Sequence, residues 1–183
     1  MISLLAIIIL MAGTAFCQQT IKSKYFNVYL SDGIDKIELL KKLRADHFLH
    51  KNAAFFDVKA GGGTDSLIAE TLDAVYIEVS DVLDIHLYSF SINLEILPDK
   101  GALSEELKPY FNQAMNAPSF YSYDNNRIYI SFADMTLGML SHEMTHAITT
   151  HYFVVQPPAR LQEILSGYTE YSIRKRVKDL PPK

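Results

Sequence analysis

The sequence has almost no cysteine and no tryptophan. Cys17 is the single cysteine among 183 residues. One cysteine cannot form an intramolecular disulfide and cannot supply a thiolate cage for a metal ion. Any metal-binding or catalytic site in this chain must therefore be built from histidines and carboxylates.

The sequence also lacks an excess of positive charge. Seventeen Lys and Arg face 21 Asp and Glu, which gives a formal net charge of −4. A protein with this balance has no overall basic field to hold a nucleic-acid backbone. The small basic run at Arg174, Lys175, Arg176 and Lys178 fits the negative end of a helix macrodipole. We therefore expect a solvated helix end there and no nucleic-acid partner.

Glycine and proline are scarce, with eight and seven residues, while 49% of the chain is hydrophobic. This composition excludes collagen-like and low-complexity classes. The length suffices for one good core and is too short for two ordinary domains. The three glycines at 61–63 lack the Gly-Lys-Ser/Thr ending of a phosphate loop and indicate a connector. We predict a single domain over residues 18–183.

The first segment of the chain has no charged side chain and is almost entirely apolar from residue 2 to residue 13. A bilayer-spanning helix needs roughly 20 apolar residues, so this shorter run predicts a signal peptide over residues 1–17. Cleavage after Ala15 and cleavage after Cys17 are both compatible with the small residues nearby. An uncleaved segment and acylation of Cys17 are the alternatives. We expect an exported protein, periplasmic or secreted, without a membrane span after cleavage.

The remaining periodicity mixes strands and helices. Alternating aromatic and β-branched residues predict strands over 25–30, 85–97 and 127–132. Apolar residues at helical spacing predict helices over 34–49, 66–83, 104–115, 135–153 and 158–177. This order predicts an α+β fold with a small mixed or antiparallel sheet packed on helices.

The most informative stretch is the motif His-Glu-x-x-His at His142, Glu143 and His146. Residues four apart on a helix lie within roughly 40° of each other and one turn apart, so both imidazoles can bind one zinc ion. Glu143 then lies close enough to act on a metal-bound water without binding the metal. The apolar stripe of the helix, at Leu137, Leu140, Met144 and Ile148, leaves both histidines off the core face.

A catalytic zinc site usually has a third protein ligand. Tyr152 stands where the metzincin pattern has its third histidine, which excludes that class. His151 lies roughly 140° from His146 around the helix and is poorly placed. The carboxylates of Glu163 and Glu170 on the next helix remain as candidates.

The segments HEMTHAITTHYF and PPARLQEILSGYTEY, with the strand RIYISFAD before them, resemble the gluzincin zinc metallopeptidases, in particular the small bacterial peptidase MA-like domains. The resemblance implies a zincin fold over residues 18–183. It implies that His142, His146 and Glu163 bind zinc and that Glu143 is the general base. Leu161 and Ile164 depart from the family pattern, which often has Trp and Gly there.

The assignment of the third ligand has an alternative. A second alignment of the downstream helix to the family pattern would put Ser166 at the ligand position. We favour Glu163, because a neutral serine is a poor zinc ligand. Glu170 lies seven residues later, about two turns along on nearly the same face, which suits a partner that orients a ligand histidine.

These observations predict an exported zinc-dependent metallopeptidase that hydrolyses peptide or protein substrates. Tyr168 and Tyr171 are candidate donors to the developing oxyanion. The strand over 127–132 would pair with an extended peptide along its edge, as gluzincins do. The alternative is a non-catalytic zinc-binding or peptide-binding module of the cell envelope that retains the zincin fold.

Overall fold

A computed structural model describes residues 19–51, 63–111 and 116–178. The predicted signal peptide over residues 1–17, two of the three connector glycines and the last part of the predicted helix 104–115 lie outside these ranges. Among the described residues, no helix combines the length and apolar character needed to cross a membrane.

Five strands form one mixed sheet. They are β1 (Gln19–Lys22), β2 (Phe26–Leu30), β3 (Ile92–Leu97), β4 (Ser119–Ser122) and β5 (Arg127–Ser131). Their order in the sheet is β1-β2-β3-β5-β4. The three central strands run parallel, and the two outer strands pair antiparallel with their neighbours.

The described residues also form six helices. They are α1 (Lys36–Lys42), α2 (Ala45–Lys51), α3 (Thr64–Leu83), α4 (Lys100–Leu107), α5 (Leu137–Tyr152) and α6 (Ala159–Lys178). The main core joins the central strands to α3 and α5. A smaller cluster around Leu103, Leu107 and Tyr129 joins α4 to the sheet. The predicted α+β class, a small mixed sheet packed on helices, is confirmed.

Several predicted boundaries differ from the structure for local reasons. The helix predicted over 34–49 is divided into α1 and α2, because Arg44 between them adopts a left-handed backbone with φ 55°. The helix predicted from 104 begins at Lys100, because the Asp99 carboxylate accepts the backbone N–H of Ala102 and caps the first turn. The strand predicted over 85–97 is ordered as a strand only over Ile92–Leu97.

The position of β5 corrects one functional expectation. Its backbone pairs with β3 on one side and with β4 on the other. A strand with two neighbours has no free hydrogen-bonding edge, so the prediction that a peptide pairs along residues 127–132 is wrong. β4, which the sequence analysis did not predict as a strand, is the outer strand at this side of the sheet.

Candidate metal centre

Helix α5 carries the His-Glu-x-x-His motif along one side. The hydroxyl of Thr136 accepts the backbone N–H of Met139 at 3.2 Å and caps the first turn. All four residues of the predicted apolar stripe, Leu137, Leu140, Met144 and Ile148, are buried in the main core. The side chains of His142 and His146 are 24% and 14% exposed. The helix is therefore anchored by one face and presents its imidazoles from another.

A short connection, residues 153–158, turns the chain from α5 into α6. The side-chain amide of Gln156 donates to the carbonyl oxygen of Thr150 at 2.7 Å, and that of Gln162 donates to the carbonyl oxygen of Pro157 at 2.7 Å. These bonds tie both ends of the connection to the adjacent helices. They set the first turn of α6, and with it Glu163, beside the histidines.

The two helices bring three potential ligand atoms together. The Nε2 atoms of His142 and His146 are 3.2 Å apart. Glu163 Oε2 lies 3.4 Å from His142 Nε2, and Glu163 Oε1 lies 3.4 Å from His146 Nε2. Ligand atoms about 2.0–2.1 Å from one tetrahedral zinc ion are separated by about 3.3 Å. The residues present therefore fit a zinc ion.

Glu170 approaches His142 from the opposite side of the ring. Its Oε2 lies 3.5 Å from His142 Nδ1, while its Oε1 accepts from Arg174 at 3.3 Å. A carboxylate at Nδ1 favours the tautomer that leaves Nε2 as the free lone pair. Gly138 permits this approach, because a Cβ atom there would meet the Arg174 side chain at 2.9 Å. The structure thus puts Glu163 and Glu170 at two different nitrogens of one imidazole.

The alternative ligand assignments find no support in these positions. Ser166 is completely buried, and its hydroxyl has no hydrogen-bond partner. His151 makes other contacts: its Nδ1 is 2.9 Å from the carbonyl oxygen of Ala147 and 3.3 Å from the Tyr121 hydroxyl. Glu163 is the carboxylate within 3.4 Å of both imidazole Nε2 atoms.

Glu143 lies between the histidines in sequence and is only 7% exposed. Burial raises the pKa of its carboxyl group, and the hydrogen bond from Ser119 and the nearby His142 partly oppose that rise. The Ser119 hydroxyl on β4 donates to Glu143 Oε1 at 2.7 Å. Burial also lowers the pKa of His146 and so favours a neutral imidazole, the form that binds metals. Strand β4 thus orients Glu143 from across the site.

These groups share a cleft of about 500 Å³. Its walls contain Glu143 and all three potential ligands, together with Ser119, Phe120, Tyr121, Tyr123, Thr150, Gln156 and Gln162. Ser119 and the two tyrosines of this wall were missed as site residues in the sequence. The available signal was the aromatic pair Phe120 and Tyr121 between two serines, a segment of only four residues.

Tyr168 and Tyr171 are not among the residues that line the cleft. They are 59% and 65% exposed, whereas Thr169 on the same helix is buried. Neighbouring residues of a helix point about 100° apart, so Tyr168 cannot share the direction of Thr169. Their positions do not support the expected role in stabilising an oxyanion.

Two other tyrosines do line the cleft. Burial raises the pKa of Tyr121 to about 12, which keeps its hydroxyl protonated. Tyr123 is 56% exposed at the cleft wall. Tyr123 can donate a hydrogen bond to a bound group, whereas the Tyr121 hydroxyl donates to Asn126 Oδ1 at 3.4 Å.

The site therefore combines three potential ligands, a buried carboxylate and hydroxyl donors around one cleft. Such a set can hold a metal ion, accept a proton and donate hydrogen bonds to a bound group. Comparisons of the chain with family models, with curated proteins and with solved structures found no match.

Proposed function

We propose that this protein is an exported zinc-dependent peptidase with a gluzincin-like site and a zincin fold. One observation carries the proposal: the Nε2 atoms of two histidines of α5 are 3.2 Å apart, and each lies 3.4 Å from one carboxylate oxygen of a glutamate of α6, close to the ligand spacing around a tetrahedral zinc ion. The adjacent carboxylate of Glu143, in the same cleft, favours hydrolysis over metal storage.

His142, His146 and Glu163 would hold the zinc ion. When bound, zinc supplies Lewis acidity that lowers the pKa of a water molecule and polarises a carbonyl group. The carboxylate of Glu143 accepts a proton from the attacking water and returns it to the leaving amine. Its bond to Ser119 fixes its orientation during both transfers. Tyr123, exposed at the cleft wall, is the side chain best placed to donate to the oxyanion.

The outer strand β4 provides a way to hold the substrate. It pairs with β5 on one side, and Ser119 and Tyr121 on it line the cleft. An extended peptide that added to its other side would run past Glu143 with its backbone hydrogen-bonded. Exposed backbone at a sheet edge recognises the main chain, so the proposed substrate is an unfolded segment or a peptide.

The first test is metal content. Elemental analysis of protein purified without chelators should give about one zinc per chain, and His146→Ala should lose it. Protein that contains no metal and binds none on titration would refute the proposal.

The second test separates an enzyme from a binding module. Wild-type protein should hydrolyse a peptide library, a chelator should stop the reaction and added zinc should restore it. Glu143→Gln should retain zinc and lose roughly 10²–10⁴-fold in rate, because it removes the base and leaves the ligands. Equal cleavage by wild type and variant would instead favour the non-catalytic module.

A further inference from the structure

The exposed apolar side chains are concentrated in one part of the molecule. Of the twelve large apolar residues exposed among those described, eight lie between residues 152 and 171. We call these eight the outer patch: residues 152–155 at the end of α5 and in the connection after it, and Leu161, Ile164, Tyr168 and Tyr171 on α6. Val154 and Val155 protrude most, at 102% and 83% exposure.

The helical part of the outer patch is a single stripe. Its four residues are spaced by three, four and three positions, which holds them within an arc of about 80° over about 15 Å. The buried residues Ser166, Thr169 and Ile173 occupy the opposite side of the helix. A surface helix ordinarily has polar residues on its solvent side. α6 therefore presents a second apolar face that the described residues leave uncovered.

The charges around the stripe are cationic. Arg160 and Lys175 are exposed, and their helical positions fall within or beside the same arc. The acidic residues of α6, Glu163 and Glu170, contact the histidines instead. The outer patch is thus apolar and basic in a chain whose formal net charge is −4.

We propose that the outer patch docks the protein on an anionic lipid surface. Exposed apolar side chains flanked by Lys and Arg are the features of helices that lie in a membrane interface. Tyrosines suit that environment, since the ring is apolar and the hydroxyl stays hydrated. The protruding valines would enter the boundary of the acyl chains. This inference does not depend on zinc binding or on catalysis.

A second copy of the chain fits the outer patch less well. A twofold contact would place the patch against itself and bring Arg160 and Lys175 of one copy close to the same cations of the other. Like charges brought together in this way oppose association. A lipid surface of negative charge attracts the same residues.

The absence of tryptophan allows a local test. In a Phe153→Trp variant the fluorophore reports the outer patch alone, whatever residues 1–17 contribute to binding. Emission should shift to the blue, and brominated lipids should quench it, with vesicles of about one third phosphatidylglycerol at low salt. Pure phosphatidylcholine vesicles and high salt should give a much smaller response.

Ile37→Trp is the matched control. Ile37 is 56% exposed on α1, whose Lys42 contacts the carbonyl oxygens of Ala133 and Met135 before α5 begins. The outer patch starts at the other end of α5, about 24 Å away. The control fluorophore should show neither the shift nor the quenching.

Charge and shape variants complete the test. Val154→Asp combined with Val155→Asp should lower vesicle partitioning at least about tenfold, and Lys175→Glu about fivefold. Ile37→Asp and Lys41→Glu are the matched controls on α1, and circular dichroism checks that every variant is folded.

The proposal is overturned if the Phe153→Trp and Ile37→Trp variants respond alike, or if the phosphatidylglycerol content has no effect. It is also overturned if sedimentation shows a dimer that Val154→Asp dissociates, which would assign the patch to a second copy.

Discussion

Two buried carboxylates, one that binds structural donors and one that lines the cleft, differ in what they do for the protein. Asp73 on α3 is 8% exposed and Glu143 on α5 is 7% exposed. Burial is the largest influence on both groups, and it raises the pKa of each. By burial and pKa direction alone the two residues are equivalent.

Their hydrogen bonds separate them. Asp73 accepts from the Ser23 hydroxyl at 2.6 Å and from the backbone N–H groups of Lys24 and Tyr25 at 3.0 Å each. All three donors come from the connection between β1 and β2, so both oxygens of this carboxylate bind structural donors. Glu143 accepts from the Ser119 hydroxyl, and the backbone N–H of Tyr121 also acts on this carboxyl group. Both donors belong to β4, which lines the cleft with Glu143.

Two further buried carboxylates outside the cleft also have structural partners. Glu78 pairs with Arg176 at 2.6 Å, and Glu95 pairs with Arg127. These carboxylates are neutralised by cations that join distant parts of the chain. A raised pKa therefore does not identify a functional carboxylate in this protein, whereas an orientation into the cleft does.

The largest expected effect tests the two glutamates around His142. Glu163→Ala should weaken zinc binding by more than about 100-fold, because it removes a ligand. Glu170→Ala should weaken it by about tenfold, because it removes a group that orients the ring. Competition with a chelating dye measures both affinities. The reverse ranking would contradict the assignment of Glu163.

The sequence predicts this centre well where the pattern is local. The positions of His142, His146 and the apolar stripe follow from the repeat of one helix, and the structure has α5 within two residues of the predicted bounds. The approach of Glu163 follows from the short connection before α6. The positions of the three potential ligands are thus predictable from the periodicity of one helix and the length of one short loop.

The sequence could not predict which strands pair with each other or which helix faces pack together. β4 is only four residues long, so its place outside β5 and its contact with Glu143 were missed. The outward direction of Tyr168 depends on which face of α6 packs on α5, and this helix has apolar residues on both sides. Sequence reasoning could not decide between two apolar faces.

A second prediction exchanges the two buried carboxylates for amides. Asp73→Asn should lower the free energy of unfolding by about 1–3 kcal/mol. The amide NH2 group would replace an oxygen that accepts a hydrogen bond, so two donors would face each other there. Glu143→Gln should cause a smaller loss, since the amide oxygen can still accept from Ser119 and the amide nitrogen can face the open cleft. Urea denaturation measures both. Equal losses would show that Glu143 is as structural as Asp73.

A third, smaller effect concerns the orientation of Glu143 by β4. Ser119→Ala should leave zinc content unchanged and lower kcat/KM for peptide hydrolysis by about tenfold, because the base loses its fixed position. Ser122→Ala on the same strand is the control, since Ser122 lines a neighbouring pocket and not the cleft. If both variants keep full activity, Ser119 has no positioning role.

The smallest expected effect is the pH dependence of stability at Asp73. Its pKa is raised in the folded state, so the folded protein binds a proton more readily than the unfolded chain. This contribution to stability is complete below the ordinary pKa of aspartate and is lost as the pH rises through the folded-state pKa. Urea denaturation between about pH 4 and 7, in the Glu143→Gln background to exclude the second carboxyl, should show a decline that Asp73→Asn removes. Identical slopes with and without Asp73, or a slope of opposite sign, would mean that its three donors outweigh burial and hold the carboxylate charged.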